Sequence, residues 1–232
     1  LLRTISHDLR TPLTSISGNA NNLLYNESCL DAQMRRQIYG DIYDDSMWLI
    51  DLVENLLSVT RIEEGRMQIR QSAELVDEVI KEALKHTGQS RTGRTIKVEE
   101  EDELILAKMD ARLIVQVLIN LIGNAVKYTP QGTDITVRVK KEKAENAERS
   151  QVIISVCDLG NGIPDDRKER VFDMFYTGSD QVADSRRSLG LGLGLCRSII
   201  NAHGGKIWIS DNIPHGAVVT FTLPAEEVAL NE

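Results

Sequence analysis

The feature that most constrains the fold is a change in the spacing of apolar residues near Gly65. Before it, apolar residues recur every three or four positions over two long stretches, which is typical of amphipathic helices. After it, short strand-like apolar runs alternate with isolated helical stretches. The 232 residues therefore predict two domains, a helical one over residues 1–66 and an α/β one over residues 73–232.

The helical part predicts an antiparallel hairpin. The turn-prone segment from Asn26 to Asp31 separates a first helix from a second one that ends at Gly65. A hairpin alone cannot bury its apolar stripe, so we expect dimerisation into a four-helix bundle. On the first helix the stripe consists of Leu2, Ile5, Leu9, Leu13, Ile16, Ala20, Leu23 and Leu24.

The second part predicts six strands and three helices. The strands are Ile96–Glu99, Leu104–Met109, Ile135–Lys141, Val152–Cys157, Lys206–Ile209 and Val218–Leu223, and the helices are Glu74–His86, Ala111–Tyr128 and Leu191–Ala202. The charged segment from Glu142 to Ser150 is typical of a hairpin loop. The long polar segment from Gly178 to Ser188 predicts a functional lid rather than a plain connection.

Composition excludes several classes of function. The net charge of −8 argues against nucleic acid as the main partner, although a small anion held by backbone donors remains possible. Apolar stretches fall short of the roughly twenty residues of a membrane-spanning helix. Cys29, Cys157 and Cys196 are odd in number and widely spaced, which favours reduced core thiols over a disulfide or zinc framework.

The segment from Ser6 to Leu13 holds the first group of candidate catalytic residues. His7 lies off the apolar stripe, so its imidazole is predicted to project into solvent. Asp8 can accept a hydrogen bond from one ring nitrogen and leave the other free to attack phosphorus. Thr11 lies one turn further along the same face, and Pro12 predicts a bend. Alone, such a pair is more typical of a solvated helix surface.

The segment from Asn120 to Tyr128 places polar groups on a largely apolar helix. Asn120, Asn124 and Lys127 are spaced by four and three, so they share one face. Amide oxygens suit Mg²⁺, and a lysine ammonium can contact phosphate oxygens. Without the other motifs, solvated surface residues would be the better interpretation.

Asp158 follows the strand Val152–Cys157 and precedes Gly160 and Gly162. A carboxylate at a strand end can accept from an exocyclic amine such as that of adenine, and the glycines let the backbone approach the base. Asp with Asn-Gly after a strand is also simply a favourable turn.

A run of glycines, Gly190, Gly192 and Gly194, precedes a helical stretch. Amide donors at such a helix start can bind a polyphosphate. The run matches neither a Walker nor a Rossmann fingerprint, and tight packing is the alternative reason for its glycines. Elsewhere, Phe172, Phe175 and Tyr176 are more typical of core or hinge residues than of residues that stack on a nucleotide. Three histidines lack clustered ligand-type partners and are interpreted as structural: His86, His203 and His215.

In order and spacing these segments resemble the sensor histidine kinases over essentially the whole chain. Ser6–Leu13 resembles the phospho-acceptor box, Asn120–Tyr128 the N box, Asp158–Gly162 the first glycine box, Phe172–Phe175 the F box and Gly190–Gly194 the second glycine box. The resemblance implies an α+β fold, a dimeric helical hairpin followed by an α/β sandwich ATP-binding domain of the gyrase, Hsp90 and MutL type. The first helix and the run from Leu193 to Gly205 most resemble the potassium-sensing Kdp-type kinases.

The resemblance also implies a role for each residue. His7 is similar to the phospho-acceptor, Asp8 to the base, and Thr11 to the residue that positions water for response-regulator phosphatase activity. Asn124 resembles the Mg²⁺ ligand. The other implied nucleotide-binding residues are Asn120, Lys127 and Tyr128 at the phosphates or lid, Asp158, Gly160 and Gly162 at adenine, and Gly190 and Gly192 at the phosphates.

The implied cofactors are ATP and Mg²⁺, and the implied partners are a second copy of the chain and a cognate response regulator whose aspartate receives the phosphoryl group. Only six residues precede His7, so a sensor and a connecting helix are expected upstream. The chain is then expected to be the cytoplasmic domain of a membrane-anchored bacterial sensor, with no membrane contact of its own.

Two positions depart from the family pattern. Ser188 stands where Gly is common and is expected to stiffen the lid, while Gly194 stands where Ala is common and is expected to loosen the helix start. Two other functions remain open. One is a pseudokinase scaffold, which the intact Asp8, Asn124 and Asp158 disfavour. The other is an ATP-driven clamp-type enzyme, which an exposed His7 disfavours.

Overall fold

A computed structural model describes residues 2–26, 29–63, 69–86, 95–101, 104–143, 150–176 and 190–226, and on the first helix it describes side chains from Leu9 onward. These residues fall into two units, one within Leu1–Gly65 and one drawn from Arg66–Gly178 and Gly190–Glu232.

The first unit is a helical hairpin in which α1, Leu2–Tyr25, packs on α2, Ala32–Glu63. The Asp31 carboxylate accepts a hydrogen bond of 2.7 Å from the Met34 amide and so caps the start of α2. The first helix is continuous through Pro12, whose side chain is buried. The predicted pair of helices is therefore confirmed.

The second helix carries two apolar stripes rather than one. Ile38 and Leu52 are buried against the hairpin interior. A parallel stripe beside them is 40% to 60% exposed and follows helical spacing: Tyr39, Tyr43, Met47, Ile50, Val53 and Leu57. The hairpin thus leaves a long apolar face uncovered.

The described residues of the second unit contain a seven-stranded sheet. Its strands are β1 Ser72–Leu75, β2 Ile96–Glu100, β3 Leu106–Met109, β4 Ile135–Lys143, β5 Ser150–Cys157, β6 Ile207–Asp211 and β7 Ala217–Glu226. They are ordered β1-β3-β7-β5-β4-β2, with β6 also paired to β7. Among these pairs, only β2–β4 is parallel. The register places Lys143 opposite Ser150, as expected for a β4–β5 hairpin.

The described part of this unit also contains three long helices: α3 Val76–His86, α4 Ala111–Tyr128 and α6 Gly192–Ala202. The short helix α5, Asp165–Lys168, and the 3₁₀ turn Arg170–Phe172 lie between β5 and α6. Of these helices, α4 contacts both α3 and α6. Fully buried side chains from the helices and the sheet form the core, including Ile80, Ile114, Leu118, Ile122, Ile154, Ile199 and Phe221.

Two expectations were wrong in detail. The segment predicted as a helix from Glu74 begins as strand β1 and becomes helical only at Val76, because β1 pairs with β3 at the sheet edge. Cys29 was expected to be a core thiol, but it is exposed, whereas Cys157 and Cys196 are buried. Among the described residues, none of the helices combines the length and the apolarity that crossing a bilayer requires.

Candidate active site

The helix α4 carries the predicted polar face. Asn120, Asn124 and Lys127 are each half-buried and lie four and three residues apart, while Leu118, Leu121 and Ile122 are buried on the core side. Ala125 is buried as well, whereas Val126 is only half-buried. The half-burial of the three polar side chains is consistent with a site partly walled by protein.

Helices α4 and α6 run side by side in opposite directions, as three contacts show. At one end the Asp110 amide donates to Nε2 of His203 over 3.0 Å, and in the middle Sγ of Cys196 contacts the Val117 carbonyl oxygen at 3.9 Å. At the other end Gly192 faces Asn120, with 3.6 Å between Oδ1 and the position of a Cβ on the glycine. The N box helix is therefore fixed against the second glycine box.

His203 secures the far end of this pair and is 2% exposed. Its Nδ1 donates to the Ile199 carbonyl oxygen over 2.8 Å, so its Nε2 keeps the lone pair that accepts from Asp110. The structural role predicted for His203 is confirmed.

Asn120 has an unusual amide group. Its Nδ2 is buried and, apart from a weak contact with the Cys196 thiol, has no hydrogen-bond partner among the described residues. A buried donor without a partner costs about 1–3 kcal/mol, which favours a ligand atom as the missing acceptor. The neighbouring Cys196 does not supply a charge, because burial raises the pKa of its thiol to about 12.

Asp158 lies at the end of β5 and uses only part of its hydrogen-bonding capacity. Its Oδ1 accepts from the backbone amides of Gly160 at 2.8 Å and Ala217 at 3.2 Å. No described residue donates to its Oδ2, which leaves one carboxylate oxygen available for an exocyclic amine.

The first glycine box lies directly against the end of α4. A Cβ on Gly160 would stand 2.6 Å from the backbone oxygen of Tyr128, so a side chain there would force the two segments apart. Gly162 adopts a φ of +70°, a conformation that suits glycine. The exposed Tyr128 ring has the Lys127 ammonium 5.1 Å from its centroid.

The F box and the second glycine box meet at Gly190. The Phe175 amide donates to the Gly190 carbonyl oxygen over 2.9 Å, and both residues have positive φ values, +67° and +65°. A Cβ on Gly190 would lie 2.4 Å from the Tyr176 oxygen. The segment expected to form a lid, Gly178 to Ser188, lies outside the described residues. The expected stiffening of this lid by Ser188 therefore stays a prediction.

Gly194 does not loosen the start of α6 as the sequence suggested. A Cβ there would lie 2.9 Å from Sδ of Met174 and 3.1 Å from the Phe172 oxygen, so glycine permits close packing. Arg197 reinforces this contact through an ion pair of 3.1 Å with Asp173. The helix start is held firmly against the F box.

The predicted catalytic residues lie on α1. His7 and Asp8 fall within the bounds of that helix, but their side chains lie outside the described residues. Thr11 is exposed one turn further on. Their predicted roles therefore rest on the sequence.

The structure adds contacts at Asp158 that the sequence did not single out. Asn212 and His215, in the connection between β6 and β7, contact the backbone oxygens of Asp158 and Gly160. Gly216, a glycine just before a strand, is the one sequence signal in this segment that could have indicated a close approach of the backbone.

The residues present fit a nucleotide with a divalent cation. The free Oδ2 of Asp158 suits the amino group of adenine, the unpartnered Nδ2 of Asn120 suits an acceptor oxygen, and the carboxamide of Asn124 can offer one hard oxygen ligand. Within the described residues, no group of three or more His, Cys, Asp or Glu side chains is arranged to hold a metal ion.

Comparison with known proteins identifies a family for each of the two parts of the chain. Residues 109–227 match the model of the histidine kinase-, DNA gyrase B-, and HSP90-like ATPase family, and residues 1–65 match that of the His Kinase A (phospho-acceptor) domain. The sensor protein KdpD of Clostridium acetobutylicum is 41% identical over 226 residues, which are 97% of this chain and 24% of that protein. The chain thus spans about a quarter of the length of this relative.

Two solved structures are similar over 97% of the chain, each with a TM-score of 0.66. The histidine kinase ThkA in complex with the response regulator protein TrrA is 26% identical, and the match covers 61% of that chain. The full-length ShkA in complex with AMPPNP is 24% identical, and the match covers 45% of that chain.

Proposed function

The chain belongs to the sensor histidine kinases, with similarity to the Kdp-type sensors, and we propose that it transfers the γ-phosphoryl group of ATP to His7. One observation carries the proposal. The N box helix is packed against both glycine boxes, next to a carboxylate oxygen of Asp158 and an amide nitrogen of Asn120 that have no hydrogen-bond partner among the described residues. This arrangement supports a site for adenine at one end and for polyphosphate at the other.

We assign the acceptor chemistry to α1. A ring nitrogen of His7 attacks the γ-phosphorus, the bond to the bridging oxygen breaks, and ADP leaves. Asp8 receives the hydrogen bond, and then the proton, of the other ring nitrogen. Thr11, exposed on the next turn, would position water when a phosphorylated regulator is hydrolysed.

We assign nucleotide binding to the second unit, within residues 73–232. Asp158 accepts from the adenine amino group, and the backbone at Gly160 and Gly162 lies close to the base. Phosphate oxygens are held by the amides at Gly190 and Gly192, by the ammonium of Lys127 and by Nδ2 of Asn120, with Tyr128 at the rim. Asn124 would hold Mg²⁺, which when bound neutralises charge on the phosphates.

The exposed apolar stripe on α2 supports a homodimer through residues 1–66. A second copy of the hairpin has the same stripe and would complete a four-helix bundle. We propose that the full protein is a membrane-anchored bacterial sensor whose cytoplasmic part includes this chain.

Replacing Ile50 by Glu is expected to weaken the dimer at least about 100-fold, because the change occurs in both copies and each loses roughly 1.5 kcal/mol or more of apolar burial. Sedimentation velocity would show the wild-type chain near twice 25.9 kDa and the variant near 25.9 kDa. Gln33→Glu, an exposed position away from the stripe, serves as the charge-matched control. A wild-type monomer at tens of micromolar, or a dimeric Ile50→Glu variant, would contradict the assignment.

The exposed face of α1 beyond His7 supports docking of a response regulator. An open groove of about 400 Å³ on this face is lined by Arg10, Leu13, Thr14, Ser17, Gly18 and Asn21. A Cβ on Gly18 would meet nothing within 4 Å, so a partner helix could approach the backbone closely there. The phosphoramidate on His7 would then lie about one to four helical turns from the residues that contact the docked receiver.

The proposed function is tested by incubating the chain with γ-labelled ATP and Mg²⁺. We expect covalent label that is lost in acid and retained in base, since a phosphoramidate hydrolyses in acid. Addition of a cognate receiver domain should move the label to that protein in base-labile form. Acid-stable label would contradict the assignment, and phosphate release without labelling would instead support the clamp-type alternative.

A further inference from the structure

The connection between β6 and β7, residues Asn212 to Gly216, forms a wall against the segment that begins at Asp158. Gly216 has a φ of +113°, and a Cβ on it would lie 2.0 Å from the Asp158 carbonyl oxygen. Gly162 approaches the same wall, with 3.2 Å from its Cβ position to the Gly216 oxygen. Such close backbone packing couples the position of Asp158 to this connection.

Asp158 is held through three of its polar groups, by Asn212 of the connection and by Ala217, the first residue of β7. Its amide donates to the Ala217 oxygen over 2.9 Å, and its Oδ1 accepts from the Ala217 amide at 3.2 Å. Its carbonyl oxygen accepts from Nδ2 of Asn212 at 2.7 Å. Of the Asp158 oxygens, only Oδ2 has no hydrogen-bond partner among the described residues. These hydrogen bonds therefore leave Oδ2 as the oxygen that can accept from a ligand.

The Asn212 side chain is itself fixed. Its Oδ1 accepts from the Ile213 amide at 3.0 Å while its Nδ2 donates to Asp158, and its own amide donates to the Gly216 oxygen over 3.0 Å. Both ends of the carboxamide are thus engaged, which determines its orientation. Of the hydrogen bonds to Asp158 given above, the one from Asn212 is donated by a side chain of the connection, and those from Ala217 involve its backbone.

We propose that Asn212 is a positioning residue that orients Asp158 toward the 6-amino group of a bound purine. The inference rests on the proposed function, in which Asp158 accepts from adenine. It adds a residue that lies outside the five family boxes and acts through Asp158 rather than by touching the nucleotide. It predicts that loss of Asn212 weakens recognition of the amino group specifically, without weakening the binding of the phosphates.

The probe is a pair of ligands, ATP and purine riboside 5′-triphosphate, which carries hydrogen in place of the 6-amino group. Calorimetry of the full chain with Mg²⁺ gives the two Kd values and their ratio. A hydrogen bond to a charged acceptor predicts that the wild type prefers ATP by about 10- to 100-fold. Asn212→Ala is expected to raise the Kd for ATP about 5- to 20-fold and to leave the Kd for the analogue within about twofold.

Asn201→Ala, an exposed asparagine on α6, is the matched control and should retain the wild-type ratio. Asn212→Asp keeps the side-chain shape and removes the donor, so it should lower the ratio like Asn212→Ala even if the alanine variant folds poorly. Melting temperatures identify any variant that is not folded under the conditions of the titration.

Equal weakening of both ligands, or an unchanged ratio in both Asn212 variants, would overturn the positioning role. The proposed function is checked separately with Asp158→Ala, which should reduce the ratio to near one. A wild-type ratio in Asp158→Ala would overturn the adenine assignment and the Asn212 inference with it. A ratio near one in Asp158→Ala with a wild-type ratio in Asn212→Ala would overturn the inference alone.

Discussion

His7→Gln is expected to lower the rate at which labelled phosphate is transferred from ATP to the chain at least about 1,000-fold. Glutamine can keep a hydrogen bond but has no ring nitrogen with a free lone pair, so no phosphoramidate can form. The loss corresponds to about 4 kcal/mol of transition-state stabilisation. Filter-bound radioactivity at neutral or basic pH, sampled over an hour, measures it directly.

His86→Gln is the matched control, because His86 is exposed on α3 and has no role in the proposed site. It should label at the wild-type rate. ATP affinity of His7→Gln should stay within about twofold of wild type, since nucleotide binding is assigned to the second unit. Label that persists in His7→Gln would exclude His7 as the acceptor.

Asn124→Ala is expected to reduce the labelling rate by about 100- to 1,000-fold. The change removes the amide oxygen assigned to Mg²⁺, while Leu121 and Ile122 on the core side of α4 remain in place. Removing one such contact to a charged group at the site of transfer costs about 3–4 kcal/mol in comparable cases. Calorimetry should also show that Mg²⁺ no longer strengthens ATP binding as it does in the wild type.

Two comparisons make this result specific. Asn201→Ala should label and bind Mg²⁺·ATP like the wild type. The Kd for ATP in the presence of EDTA should be nearly the same in Asn124→Ala and the wild type, because only the cation contact is removed. Labelling of Asn124→Ala at the wild-type rate would mean that the cation is held elsewhere.

Local patterns predicted the regular elements well. The helix α4 begins and ends at the predicted residues, Ala111 and Tyr128, because its 3.6-residue period is strong and Asp110 and Thr129 are extended at its two ends. Strand β1 was missed because four residues with little alternation carry no clear signal, and their structure depends on pairing with the distant β3.

The residues of the proposed nucleotide site were predictable as motifs, but their packing was not. Sequence spacing placed Asn120, Asn124 and Lys127 on one face, and the structure agrees. The same reasoning misjudged Gly194, because its closest neighbours, Met174 and Phe172, lie some twenty residues away and cannot be inferred from a local pattern. Asn212 was missed for the same reason, since it contacts a residue 54 positions away.

We propose that ATP bound by the α/β unit phosphorylates one histidine on the helical unit. Trypsin should release the peptide Thr4–Arg10, which contains Thr4, Ser6 and His7, from chain incubated with ATP and Mg²⁺. The peptide is kept at neutral pH before mass spectrometry, and electron-transfer fragmentation then locates the added phosphoryl group within the peptide. The account predicts the group on His7, lost after brief acid treatment. A phosphoryl group on Thr4 or Ser6, or on a peptide elsewhere in the chain, would contradict it.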